Sequence, residues 1–189
     1  MEEKSKKNRL LSSAYKLFTT KGINKTTIQD IVDAAKVAKG TFYLYFEDKY
    51  KLQEELVIKK SEEIFNNSID ALVKQNINKF DDQIIFIVDY IIDTLNNDPN
   101  ILNFISKDLS LGLYQEKLSN ILGGKETKLY DMFILGAKNN NIKNPELVLF
   151  MIVEFVSSTV YSVITKKINI TIDEYKPFLH KVIKDMLIN

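Results

Sequence analysis

Residues 35–52, AKVAKGTFYLYFEDKYKL, combine two kinds of side chain that rarely share an environment. Phe42, Tyr43, Tyr45 and Phe46 place four rings in five positions, with Lys36 and Lys39 before them and Lys49 and Lys51 after. A core accepts the rings and rejects the lysines; a solvated surface does the reverse. On a helix over residues 39–46, at about 100° per residue, Phe42 and Phe46 fall together and point inward, with Val37 below them. Gly40, Thr41 and Leu44 then point outward, Lys39 and Tyr43 lie on one flank, and Tyr45 on the other. Gly40 on an exposed helix face costs about 1 kcal/mol against Ala, and its benefit is close backbone approach to something large. Lys49, just inside the next helix, opposes that helix's dipole, a placement that makes sense if a phosphate sits between the ammonium and the backbone N–H groups.

These groups need a frame. Leu10, Leu11, Ala14, Leu17 and Phe18 form one face of a first helix, which stops at Gly22 because Gly accepts the left-handed conformation there. Thr27-Ile-Gln-Asp30 resembles a capping box with Asp in place of Glu. It opens a second helix of about two turns carrying Ile28, Ile31, Val32 and Ala35. Residues 36–38 make a tight turn before the helix at 39–46, and Asp48 caps a long fourth helix through Leu52, Leu56, Ile64, Phe65, Ile69 and Leu72. Two short helices joined by a three-residue turn, the second polar on its outer face, form a helix-turn-helix whose second helix enters a major groove.

Charge distribution agrees with that division. Residues 1–51 hold eleven basic and six acidic side chains, a balance of +5, while the remainder holds 15 basic and 19 acidic, a balance of −4. Such asymmetry suggests a part facing nucleic acid joined to a part of another kind. The chain has no Cys and one His, which excludes disulfides and thiolate sites and argues against a zinc hydrolase. No nucleophile–base pair or metal-ligand spacing stands out, so the expectation is no catalytic residue, no cofactor, no metal and no enzyme. The charged N-terminus lacks the apolar run of a signal peptide, and unbroken apolar runs are short, so a cytoplasmic protein without a membrane partner is expected. A module whose basic N-terminus binds an acidic protein is the alternative reading; competition by one specific duplex over random duplex separates the two.

Beyond residue 80 the helical periodicity is greasier. Ile84 to Leu95 is apolar on nearly all sides, which places it among other helices. Asp98-Pro99 opens a segment to about Leu122, Gly123-Gly124 is a break, and a helix covers Lys125 to Asn140. Asn144-Pro145 precedes a strongly apolar helix over 146–167, and Thr171-Ile-Asp-Glu174 is a full capping box for the last helix, over 172–188. Pro177 requires that helix to kink or to start later. No strand alternation is seen: the fold class is all-α, about nine helices, with a helix-turn-helix domain over 1–47 and a larger helical domain over 48–189 for ligand binding and dimerisation. Candidate cavity residues are Phe86, Tyr90, Phe104, Tyr114, Phe133, Phe150, Glu154 and Tyr161, aromatic side chains being what a bundle uses for an apolar ligand. Asp89 and Asp93 read as one wet stripe, and His180 as an ordinary surface or interface residue. The two last helices carry more apolar surface than one small domain needs, which makes them the expected homodimer interface.

The stretch TTIQDIVDAAKVAKGTFYLYFEDKYKLQEEL, residues 26–56, resembles the DNA-binding signature of the TetR family of bacterial repressors, as does LLSSAYKLFTTKG before it. The resemblance covers roughly the first 55 residues. It implies a homodimer of two-domain subunits that binds a palindromic operator and is released by a small effector, here a largely apolar one. Carried onto this chain, Thr27 touches phosphate; Lys39, Gly40, Thr41 and Tyr43 face base edges and nearby backbone; Tyr45 and Lys49 hold phosphates. Leu44 is expected on sugar or a thymine methyl. Two positions depart from the pattern: Ala38 stands where Ser or Thr usually caps the recognition helix, and Lys36 replaces the usual turn glycine, straining the turn or adding a phosphate contact.

Overall fold

The computed structural model describes residues 2–105 and 128–188. These form nine α-helices: α1 (Glu2–Lys21), α2 (Ile28–Ala35), α3 (Lys39–Tyr43), α4 (Lys49–Leu72), α5 (Phe80–Asn97), α6 (Pro99–Ile105), α7 (Lys128–Asn139), α8 (Pro145–Ile164) and α9 (Ile172–Met186). No strand occurs among the described residues. The expected break at Gly123-Gly124 and the segment from residue 106 to Leu122 lie outside them.

The chain divides into two compact units, at Lys59/Lys60 rather than at the expected 47/48. The early turns of α4 belong with the N-terminal helices for two reasons. Leu52, Leu56 and Val57 are buried, and Lys7 of α1 reaches Glu55 at 2.7 Å. In this unit α1 packs on α2 and α3 and buries Leu10, Leu11, Ala14 and Phe18. Gly22 ends α1 at φ +83, its N–H donating to Phe18 O at 3.1 Å. At α2 the capping box forms as the sequence predicts: Asp30 N–H donates to Thr27 Oγ1 at 3.1 Å, and Thr27 N–H donates to Asp30 Oδ2 at 2.8 Å. Asp48 accepts from the N–H groups of Tyr50 and Lys51, both at 2.8 Å, and so caps α4.

The second unit is built around α5, which contacts α6, α7, α8 and α9 and buries Ile84, Ile87, Val88, Ile91, Ile92 and Leu95. This is why its sequence is apolar on nearly all sides. One strip of α5 stays polar, and α9 meets it in antiparallel order. Lys176 reaches Asp93 at 2.6 Å, His180 reaches Asp89 at 2.8 Å, and Lys184 reaches Asp82 at 2.7 Å and Asp81 at 3.3 Å. The Asp82 bond raises the Lys184 pKa above the usual lysine value, and the same bond lowers the Asp82 carboxyl. These pairs range from half-buried to exposed, and the exposed ones contribute little to stability; their spacing along both helices sets register.

α7 reaches α5 at a glycine. A Cβ at Gly136 would lie within 3.0 Å of two ring carbons of Phe80, and Phe80 in turn packs on Phe133, the rings tilted by 58° with centroids 5.5 Å apart. α9 starts at its capping box, with Glu174 N–H donating to Thr171 Oγ1 at 3.2 Å, and runs through Pro177. A later start is thereby excluded. The carbonyl that Pro177 leaves without a helical partner is that of Asp173, on the exposed first turn. α8 is, among the described residues, the one helix long and apolar enough to cross a membrane, with mean hydropathy 2.1, yet only 33% of that stretch is buried within the chain. Short unbroken runs had hidden this, because Glu154 interrupts a helix that is otherwise almost continuously apolar.

Candidate functional site

α3 is held by its two phenylalanines. Phe42 and Phe46 are buried, their ring centroids 5.7 Å apart, and Lys7 lies over the Phe46 ring at 5.5 Å. The regular helix stops at Tyr43 instead of running to residue 46. Its last turn tightens, with Tyr45 and Phe46 N–H both bonding Phe42 O at 3.0 Å. Ala38 has no side-chain bond to the helix start, in keeping with a weak N-terminus for so short a helix. Of the three residues the wheel turns outward, Gly40 is exposed and Leu44 is 78% exposed, but Thr41 is half-buried; on the flanks Lys39 is exposed, Tyr43 is 53% exposed and Tyr45 is half-buried. Nothing among the described residues lies within 4 Å of a Cβ placed on Gly40, so no contact among them requires glycine there.

The turn between α2 and α3 is built on Lys36, which sits in the left-handed region at φ +53. Its N–H returns to Asp33 O at 3.2 Å and the Val37 N–H to Val32 O at 3.1 Å, a Schellman closure that normally takes glycine. The lysine is exposed. Of the two alternatives for this position, backbone strain is present. Thr27 is exposed at the start of α2. Its hydroxyl oxygen accepts from Asp30, so its proton remains to donate outward. Lys21 Nζ, at 2.7 Å from Asp30 Oδ2, together with the bonds from Thr27, lowers the Asp30 pKa from 3.8 to about 2.

Lys49 is placed differently from the phosphate contact expected of it. Its ammonium donates to Thr26 O at 2.8 Å, Ile23 O at 2.9 Å and Asn24 O at 3.4 Å. An ammonium has three donors, and here each has a backbone carbonyl. Pairing between residues 23 and 26 positions apart leaves no periodic trace, so nothing in the sequence could have shown it.

In the second unit an apolar cavity of about 40 Å³ lies among Phe65 of α4, Ile84, Ile87, Val88 and Ile91 of α5, Leu129 and Phe133 of α7, and Leu149, Ile152, Val153 and Val156 of α8. Of the expected cavity residues only Phe133 lines it. Tyr114 lies outside the described residues. Phe86, Tyr90, Phe104, Glu154 and Tyr161 are half-buried on other faces, and Phe150 is exposed on α8. The expectation chose aromatics by chemistry, whereas the cavity follows the buried stripe of α5, whose aliphatic repeat was the available signal.

Residues 10–56 match the family described as bacterial regulatory proteins, tetR family. The HTH-type transcriptional regulator YuxN of Bacillus subtilis is 43% identical over 49 residues, 26% of this chain and 17% of that protein. The probable acrEF/envCD operon repressor of Escherichia coli is 43% identical over 47 residues, 25% of this chain and 21% of that protein. The chain thus matches about a fifth of the length of these relatives. The fold extends further. The transcriptional regulator FadR of Bacillus subtilis, in complex with stearoyl-CoA, superposes with a TM-score of 0.61 at 18% identity, over 95% of this chain and 96% of that one. Residues 10–56 thus carry the helix-turn-helix signature of the tetR family of bacterial regulatory proteins, on an all-helical fold similar to that of TetR-family regulators of known structure.

Proposed function

We propose that this chain is a repressor that binds a palindromic operator as a homodimer and releases it when a small, largely apolar effector occupies the second unit. The observation that carries the reading is the exposed edge of α3, anchored on Phe42 and Phe46, which turns Lys39, Gly40, Tyr43 and Leu44 outward. Lys39, Gly40, Thr41 and Tyr43 would face base edges and nearby backbone, with Leu44 on a sugar or thymine methyl. Thr27, Lys36 and Tyr45 would flank them on phosphates, which position the reader without specifying sequence.

The dimer reading is supported by Leu147, Phe150 and Met151 on α8 and Phe178 on α9, all exposed in the single chain. A second copy covering this face would account for a helix as apolar as α8 being only one-third buried; Glu146 and Glu154 on it fit a protein partner better than a bilayer. The effector reading is supported by the wholly apolar lining of the cavity. At about 40 Å³ it is well below the ~300 Å³ of a usual ligand pocket, so an occupant must part the helices, and that expansion is the means of release. Stearoyl-CoA in the FadR of Bacillus subtilis supports a long apolar chain as one class to try. Coupling is reciprocal: operator must weaken effector binding by the factor with which effector weakens operator binding. No enzymatic step is proposed, and the site of action is the bacterial cytoplasm.

The test is selection of bound fragments from a random duplex library at about 0.15 M salt, where nonspecific phosphate binding is weakened. A palindrome, lost in Lys39→Ala and Tyr43→Ala, is the expected result. Binding without sequence preference, unchanged in both variants, overturns the reading.

A further inference from the structure

We infer that Lys49 is a positioning residue, which clamps the α1–α2 loop onto the start of α4 and thereby places Thr27 for its phosphate. The inference rests on the operator-binding reading above. Three features of the geometry carry it.

First, the ammonium is saturated. Its bonds at 2.8 and 2.9 Å to Thr26 O and Ile23 O, and the longer one to Asn24 O, match its three donors one for one. A phosphate would have to displace these carbonyls from the ammonium. Second, the clamp acts next to the group it serves. Thr26 O belongs to the peptide that joins Thr26 to Thr27, so fixing that carbonyl fixes the orientation of the Thr27 amide plane. Thr26 is itself buried, with its hydroxyl donating to Gly22 O at 2.8 Å, so the loop is tied at both ends. Third, Lys49 brackets the reading head. It is the first residue of α4, beside the Asp48 cap and directly after the α3 turn, while its carbonyl partners precede α2. One side chain therefore closes a ring of backbone that contains α2, the Lys36 turn and α3. A lysine at a helix N-terminus is unfavourable by the dipole alone; three converging carbonyls supply the compensating field within the chain.

The experiment uses the full chain, the duplex recovered by selection and Lys49→Met, with Lys49→Gln as a second variant should the first not fold. Wild-type binding of the selected duplex establishes the reading on which the inference rests, separately from what the variants show. Amide hydrogen exchange of residues 22–27 in the free protein, the slope of log Kd against log salt, and the coupling between Lys49→Met and Thr27→Ala are then measured. The expected result is at least about a tenfold loss of affinity, faster exchange in the loop, and a salt slope within scatter of the wild type. A cation contacting phosphate would instead lower the slope by about 0.9. Thr27→Ala should weaken binding several-fold in the wild type and by less than about twofold in the Lys49→Met background, because a misplaced threonine has little left to lose. A slope lowered by about 0.9 with unchanged loop exchange, or losses that simply multiply, overturns the inference.

Discussion

Gly136→Ala separates two opposing effects whose sizes can be set from the geometry. Alanine is favoured over glycine inside a helix by about 1 kcal/mol, and α7 is a regular helix around residue 136. On propensity alone the variant gains stability. The added Cβ, however, would come within 3.0 Å of Cδ2 and Cε2 of Phe80 and 3.1 Å of Cζ, where carbon atoms rest at about 3.5–4.0 Å. The ring must move by on the order of 1 Å, and its far side is engaged with Phe133, 5.5 Å away between centroids. Overpacking of this kind costs about 1–3 kcal/mol, and disturbing the aromatic pair adds about 0.5–1.5 kcal/mol. The net expectation is a destabilisation of about 2 kcal/mol, read from the urea midpoint of the second unit. In a Phe80→Leu background the obstructing ring edge is gone, and Gly136→Ala should become neutral or stabilising. A gain in the unmodified protein, or an equal loss in both backgrounds, would show that glycine is not there for close approach.

Three further outcomes are expected. Lys36→Gly should raise stability by about 1 kcal/mol, since a non-glycine left-handed residue carries about that cost, while weakening operator binding and lowering its salt slope by about 0.9 if Lys36 meets a phosphate; a loss of stability would contradict the strain. Ser61→Ala should stabilise by about 1–2 kcal/mol, because Ser61 Oγ is buried with no hydrogen-bond partner among the described residues and alanine removes the unsatisfied group and improves helix propensity; a lowered urea midpoint would count against this. Asp30 binds its proton less readily when folded, with a pKa of about 2 against 3.8. Its contribution is therefore complete above about pH 4 and fades as pH falls from there through 2; Asp30→Asn should flatten that acid limb, and an unchanged limb would refute the assignment.

How much was legible from sequence differs between the two units, for a physical reason. Many of the features that shape the N-terminal unit are local in the chain. Helix stops such as Gly22, caps such as Thr27 and Asp48, and the inward pair Phe42 and Phe46 act over a few residues, and each can be read where it stands. The burial of α5 was readable too, because a helix surrounded by others must be apolar all round. Long-range pairing was not. Which aliphatic faces meet around the cavity, why the Asp89 and Asp93 strip stays polar, and where the units divide along α4 all depend on residues tens of positions apart. Lys49 shows the difference most directly. By sequence it is a cation at a helix start, with every reason to await a phosphate. Only the fold brings the carbonyls of Ile23, Asn24 and Thr26 to its ammonium, because loop closure across α2 and α3 has no signature in the spacing of the residues it joins.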